Sequence, residues 1–178
     1  MCALGVKMTQ IKLVAVTFIL ILFTSITSCT DRGTCATNLS EVCQITIPHR
    51  NYIYSKLESQ LITSAKEYKR FIQSVDIKEH GGGKKFISSL SAESIDFESS
   101  NLLLYFHTEN SGSIRVSLES PLPSKNGTEI GMKINRIVSG PPTTDMAYYG
   151  YAYIIKREIS KITFSSENKV TEIVRKNF

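Results

Sequence analysis

The sequence predicts an α+β fold: one N-terminal amphipathic helix packed on a mostly antiparallel, twisted β-sheet or half-barrel. Three observations lead there. Ser64-Ala65-Lys66-Glu67 has the form of a capping box, whose hydroxyl and carboxylate satisfy amide donors left unpaired at a helix start. Ala65, Tyr68, Phe71, Ile72 and Val75 then share one face at helical spacing. From Asn101 onward the chain turns to short apolar or alternating runs with short links, which favour antiparallel pairing.

Taken in order, Ile45, Ile47, Tyr52, Tyr54 and Leu57 predict one or two early strands. The helix opened by Ser64 should end near Asp76. His80-Gly81-Gly82-Gly83-Lys84-Lys85 reads as a flexible loop, followed by a short helical stretch from about Lys85 to Leu90. Asn101 to His107 is continuously apolar, as in a buried strand, and Ser113 to Glu119 alternates with Ile114, Val116 and Leu118 on one face. Ser120 to Gly127, with Pro121, Pro123 and Asn126-Gly127, reads as a turn region.

The next strand, Thr128 to about Val138, places Ile130, Met132 and Ile134 together, and Gly131 in it suggests a bulge or close backbone packing. Ser139-Gly140-Pro141-Pro142 breaks it. Met146 to Arg157 is a long aromatic strand, followed by Lys161 to Phe164, a polar turn at Ser165 to Asn168, and Val170 to Arg175.

The segment ahead of the domain has a different character. Lys7 and Lys12 precede an apolar run from Leu13 to Phe23, and no acidic residue appears before Asp31. That is the order of a secretory signal, and the run is shorter than the roughly 20 apolar residues of a membrane span. It closes on Ile26-Thr27-Ser28-Cys29, which resembles the lipobox of a bacterial lipoprotein precursor. The resemblance implies a signal peptide over residues 1–28, cleavage before Cys29 and palmitate-type lipidation of that cysteine. Each buried methylene contributes about 0.8 kcal/mol, so two or three acyl chains make a lasting membrane anchor. Thr30 stands where an aspartate would imply inner-membrane retention, so the expected place is the outer membrane, facing the periplasm. Met8 to Cys29 is already a complete signal, so either Met1 or Met8 serves as the start. Residues 29–44 then read as a lipidated polar tether and residues 45–178 as a single β-rich domain.

Removing Lys7 and Lys12 from the 21 basic residues leaves 19 against 16 acidic, a net charge of +3. So small and scattered an excess does not predict nucleic-acid binding. Loss of Cys2 and lipidation of Cys29 leave Cys35 and Cys43, and in an exported chain these are expected to form a disulfide. With His49 as the nearest further ligand, the pair falls short of the four ligands of a structural metal site.

No catalytic set or cofactor motif assembles in the sequence. His80-Gly81-Gly82-Gly83 imitates an oxyanion-hole motif, but the chain has no Gly-x-Ser-x-Gly nucleophile. The same glycines with Lys84 lack P-loop spacing. His107 reads as a half-buried sheet histidine and Asp96 as a turn-capping residue. Tyr149, Tyr151 and Tyr153 share one face of their strand, with Tyr148 opposite. They are either sheet packing or a partner-binding face, since tyrosine suits both. The exposed loop Gly140 to Asp145 precedes them.

Glu67-Tyr68 to Phe71, Ile95-Asp96-Phe97, Leu102 to Tyr105, Ser111-Gly112-Ser113-Ile114 and Tyr153 to Lys156 together resemble the protease-complex subunit PrcB-like family, over about Leu61 to Lys156. The family's Thr-Gly-Gly-Tyr turn is replaced here by Asn110-Ser111-Gly112-Ser113-Ile114. The resemblance implies a non-enzymatic accessory or stabilising subunit. The expected function is therefore a lipid-anchored accessory or protein-binding module with a partner in the cell envelope. The alternative is an envelope hydrolase using His107 or His80.

Overall fold

The alternating segments become strands in a computed structural model, which describes residues 42–75, 82–124, 126–167 and 169–175. β1 is Val42–Ile45, β2 is Gln60–Ile62 and β3 is Ser100–Glu109. β4 is Ile114–Leu118, β5 the short Leu122–Pro123, and β6 Glu129–Val138. β7 is Ala147–Lys156, β8 Lys161–Ser166 and β9 Lys169–Val174. Two α-helices are described, α1 over Ala65–Ser74 and α2 over Gly82–Ser91. The fold is α+β and mostly antiparallel, with two sheets in place of one, and the short helical stretch expected from about Lys85 to Leu90 is present as α2, which starts earlier, at Gly82.

The first sheet runs β1-β7-β3-β2, antiparallel throughout. The second runs β4-β6-β8-β9, with β5 also paired to β6. Its one parallel pair is β6 with β8, because the chain crosses to the first sheet as β7 before returning. Period-two alternation divides β3 and β7 between two cores. Leu103, Tyr105, Tyr149, Tyr151, Tyr153 and Ile155 face the second sheet and pack with Val116, Ile130, Met132, Ile162 and Phe164. Leu102, Leu104 and Ala152 face the helices and pack with Phe71, Phe86 and Leu90. The first sheet is thus the middle of three layers. Tyr105 stacks on Phe164 across the inter-sheet core, ring centroids 3.7 Å apart.

The start of α1 follows its sequence signal with one shift. Ser64 Oγ accepts from the Glu67 N–H at 3.2 Å, while Glu67 Oε2 accepts from the amide and hydroxyl of Thr63 at 2.8 and 3.0 Å. The carboxylate therefore reaches one residue further back than the usual capping box.

Four expectations change. Tyr52–Lys56 is a 3-10 helix, not a strand, because the Asn51 side chain accepts from the Ile53 amide at 3.1 Å and turns the chain. Gly82 and Gly83 belong to α2 rather than to a loop; the full burial of Phe86 and Leu90 outweighs a helix cost of about 1 kcal/mol per glycine. The tether does not extend to Gln44, since Val42, Cys43 and Gln44 lie in register with Ile155, Ile154 and Tyr153. Gly131 makes no bulge: it pairs in register with both Leu122 and Thr163. The close backbone approach occurs instead at Gly150, where a Cβ would stand 2.5 Å from the Tyr54 ring. All the described residues fall within one compact unit, Thr34–Phe178.

Candidate functional site

The tyrosine row lies inside the protein. Alternation along β7 turns Tyr149, Tyr151 and Tyr153 toward the second sheet, where each is at most 5% exposed. The Tyr149 and Tyr151 hydroxyls donate to the backbone carbonyls of Ile114 and Val116, at 2.5 and 2.9 Å. These bonds tie β7 to the edge strand β4 and satisfy polar atoms that would be costly to bury alone. Burial pushes the Tyr153 hydroxyl up to about 12 and raises that of Tyr151 as well. The row is therefore packing, and the partner-binding role considered for it is corrected.

His107, Glu109 and Tyr105 follow one another on the same face of β3 and form a chain of contacts. His107 Nδ1 lies 3.2 Å from the Tyr105 hydroxyl and Nε2 lies 2.8 Å from Glu109 Oε1. Arg136 on β6 then donates through Nε and Nη2 to the two Glu109 oxygens, both at 2.7 Å. Burial alone would raise the Glu109 carboxyl, but the hydrogen bonds and charges of Arg136 and His107 hold it below the usual carboxylate range. Both His107 nitrogens are thus engaged by Tyr105 and Glu109, and neither meets a serine or an aspartate among the described residues. His80 lies outside the described residues.

Asp96 bonds its own turn, accepting from the Glu98 amide at 3.0 Å and the Ser99 hydroxyl at 2.7 Å. The loop before β7 is exposed yet fastened. The Thr143 amide donates to Ser111 Oγ at 2.9 Å, and Asp145 pairs with Arg50 at 3.2 Å. His49 Nε2 lies 3.1 Å from the Tyr151 hydroxyl, with its ring edge-on to Tyr149 and Tyr151. Among the described residues no three His, Cys, Asp or Glu side chains are grouped to hold a metal ion. No described helix is long and apolar enough to cross a membrane. Cys43 is disulfide-bonded. Cys2, Cys29 and Cys35, among which its partner stands, lie outside the described residues, as do the signal segment and the tether up to residue 41.

A concave surface among the described residues lies elsewhere, between β2 at the edge of the first sheet and β9 at the edge of the second. A groove of about 810 Å³ runs between β2 with the start of α1 on one side and the end of β9 on the other. That volume is in the range of about 300–1,000 Å³ typical of ligand sites. Leu61, Ile62, Phe71 and Ile173 form its apolar lining, with Lys66 and Arg70 on the α1 wall. Glu67 and Glu172 also line it, but the first serves Thr63 and the second pairs with Lys161 at 3.0 Å. Lys66 and Arg70 carry no ion pair among the described residues, and neither does Glu58 on the β2 side.

No family model, curated protein or solved structure matches the chain. The groove residues went unnoticed in the sequence because β2 and β9 are over a hundred positions apart. Lys66 and Arg70 stand one turn apart beside the apolar stripe of α1, the ordinary pattern of a solvated helix face. The only local signal was that pair itself.

Proposed function

We propose that the protein is a lipid-anchored lipoprotein of the bacterial cell envelope whose domain works as a non-enzymatic accessory or protein-binding module. Two parts of the molecule support this. The segment ending in Ile26-Thr27-Ser28-Cys29 supplies the anchor, attached through Cys29 and best suited to the periplasmic face of the outer membrane. The resemblance to PrcB-like subunits points to the same class of role. The observation that carries the binding reading is the groove between β2 and β9: concave, partly apolar and edged by strands that no other strand covers among the described residues. Cys35 is the proposed disulfide partner of Cys43, fastening the tether to the edge of the first sheet.

Metabolic labelling with radioactive palmitate tests the anchor: the wild type takes up label and Cys29→Ser does not. An unlabelled wild type removes the anchor from this reading. Pull-down from detergent-solubilised membranes tests the module, which should bring down one envelope protein in stoichiometric amount. Recovery of no such protein ends the module reading.

A further inference from the structure

The helix layer carries unpaired positive charge on its outer face. α1 turns Phe71, with the half-buried Tyr68 and Ile72, toward the first sheet, and helical spacing leaves Lys66, Lys69 and Arg70 on its exposed side. α2 buries Gly83, Phe86 and Leu90 and exposes Lys84, Lys85 and Ser88. The two helices share one core, in which the Phe71 and Phe86 rings meet edge to face with centroids 6.2 Å apart. The five cations therefore belong to one layer, and none of them has an ion pair among the described residues.

Neighbouring carboxylates do not cancel this charge. Glu67 is turned back to Thr63, Asp96 is bonded within its own turn, and Glu98 pairs with Arg157 at 3.7 Å. Glu58 and Glu93, before and after the helices, are the two without an ion pair among the described residues. Residues 64–91 hold six basic and three acidic side chains, an excess of +3 that equals the whole excess of the chain after residue 28. The second sheet differs: Lys133 pairs with Glu119 at 3.3 Å and Lys161 with Glu172 at 3.0 Å.

The tether leaves the domain on the same side. Cys43 pairs with Ile154 and stands two residues before Ile45, and both isoleucines pack into the core beneath the helices. Strand alternation thus puts the disulfide-bonded Cys43 side chain on the helix side of the first sheet. From Cys35, its proposed partner, six residues lead back to Cys29, a reach of at most about 20 Å. We propose that the helix face lies on the anionic phospholipid headgroups of the membrane that holds the lipid, with Lys66, Lys69, Arg70, Lys84 and Lys85 toward the phosphates. Such attraction decays over about 10 Å at moderate salt, and the short tether keeps this face within that range. The inference rests on the anchor reading and adds which side of the domain meets the bilayer.

The test uses the lipidated protein reconstituted in vesicles that carry a headgroup-linked nitroxide quencher. A fluorophore is placed at Ser88→Cys on the helix face or at Ser117→Cys on the exposed side of β4. In phosphatidylcholine containing about 30% phosphatidylglycerol, quenching at Ser88→Cys should be at least about twice that in phosphatidylcholine alone, and quenching at Ser117→Cys should stay low in both. Adding Lys66→Glu, Lys69→Glu and Arg70→Glu together should return Ser88→Cys to the phosphatidylcholine level, with an unchanged melting temperature confirming the fold. Raising salt to about 0.5 M should do the same to the unreversed protein, which needs no charge variant to fold. Equal quenching in the two lipids, equal quenching at the two positions, or indifference to salt overturns the proposal. Loss of a pulled-down protein in the charge-reversed variant, with lipid-independent quenching, assigns the face to that protein and also overturns it. Palmitate labelling reports the anchor separately: label on Cys29 with lipid-independent quenching removes the face inference and leaves the anchor standing.

Discussion

Arg136 grips Glu109 with two parallel hydrogen bonds, Nε to one carboxylate oxygen and Nη2 to the other, both at 2.7 Å. The pair joins β3 of one sheet to β6 of the other, and its acidic side chain is 5% exposed against 48% for the arginine. Such a fork fixes geometry as well as charge.

Arg136→Met should therefore strand a nearly buried carboxylate. Breaking a wholly buried pair costs about 3–5 kcal/mol; the half-exposed arginine lowers the expected loss to about 1–3 kcal/mol. Urea unfolding checks it, and Glu109→Leu in the same background should recover part of the loss. Additive single and double variants would show that the two residues are not coupled.

The same pair sets an acid limit on stability. The folded-state carboxyl of Glu109 lies below its ordinary value of 4.5, so its contribution is complete above that pH and is lost as pH falls through the folded-state value. Stability measured downward from about pH 5 should fall less steeply in Glu109→Gln than in the wild type. Parallel curves would place the acid sensitivity elsewhere.

Gly150 is needed for space. A Cβ there would meet the Tyr54 ring at 2.5 Å, and that ring is held between Phe106 and Phe86 with its hydroxyl bonded to Pro48. Gly150→Ala should destabilise by about 1–3 kcal/mol, and by less in a Tyr54→Leu background. A double-variant cycle by chemical denaturation reads the difference.

Truncating the buried tyrosines should act on folding. Tyr151→Ala removes a packed ring and its bond to Val116, for a loss of about 3–5 kcal/mol. Tyr151→Phe keeps the ring and removes the hydroxyl's contacts with Val116 and His49, for about 0.5–1.5 kcal/mol per bond. Unchanged melting temperatures in both would mean that the tyrosines do not pack as a core.

The disulfide of Cys43 should map to Cys35 in non-reducing peptide mass spectrometry of the mature protein. Closing so short a loop contributes roughly 2–3 kcal/mol, which Cys43→Ser or a reductant should remove. A linkage to Cys29 instead would be incompatible with lipidation of that cysteine.

Much of the chain's local structure was legible because it is written at short range. Ser64 with Glu67 starts α1 where the capping residues stand, and the alternation of Ile114, Val116 and Leu118 sets one face of β4. Asp96 was readable as a turn residue and His107 as a half-buried sheet histidine for the same reason. The site was not legible. Tyr149, Tyr151 and Tyr153 carry the same signal whether a strand faces solvent or another sheet, and Lys66 and Arg70 look like any solvated helix face.

By itself, then, the sequence determined the type and order of most elements, the side-chain faces of the long strands and the signal-like segment ending at Cys29. These depend on patterns spanning about two to four residues, which backbone geometry converts directly into structure. Only the tertiary structure decided that β7 leaves the second sheet to stand beside β3, that the tyrosines are enclosed, and that β2 and β9 face one groove. Those outcomes depend on which distant strands pair, a choice made by the burial of both faces of the first sheet at once. No local pattern encodes it.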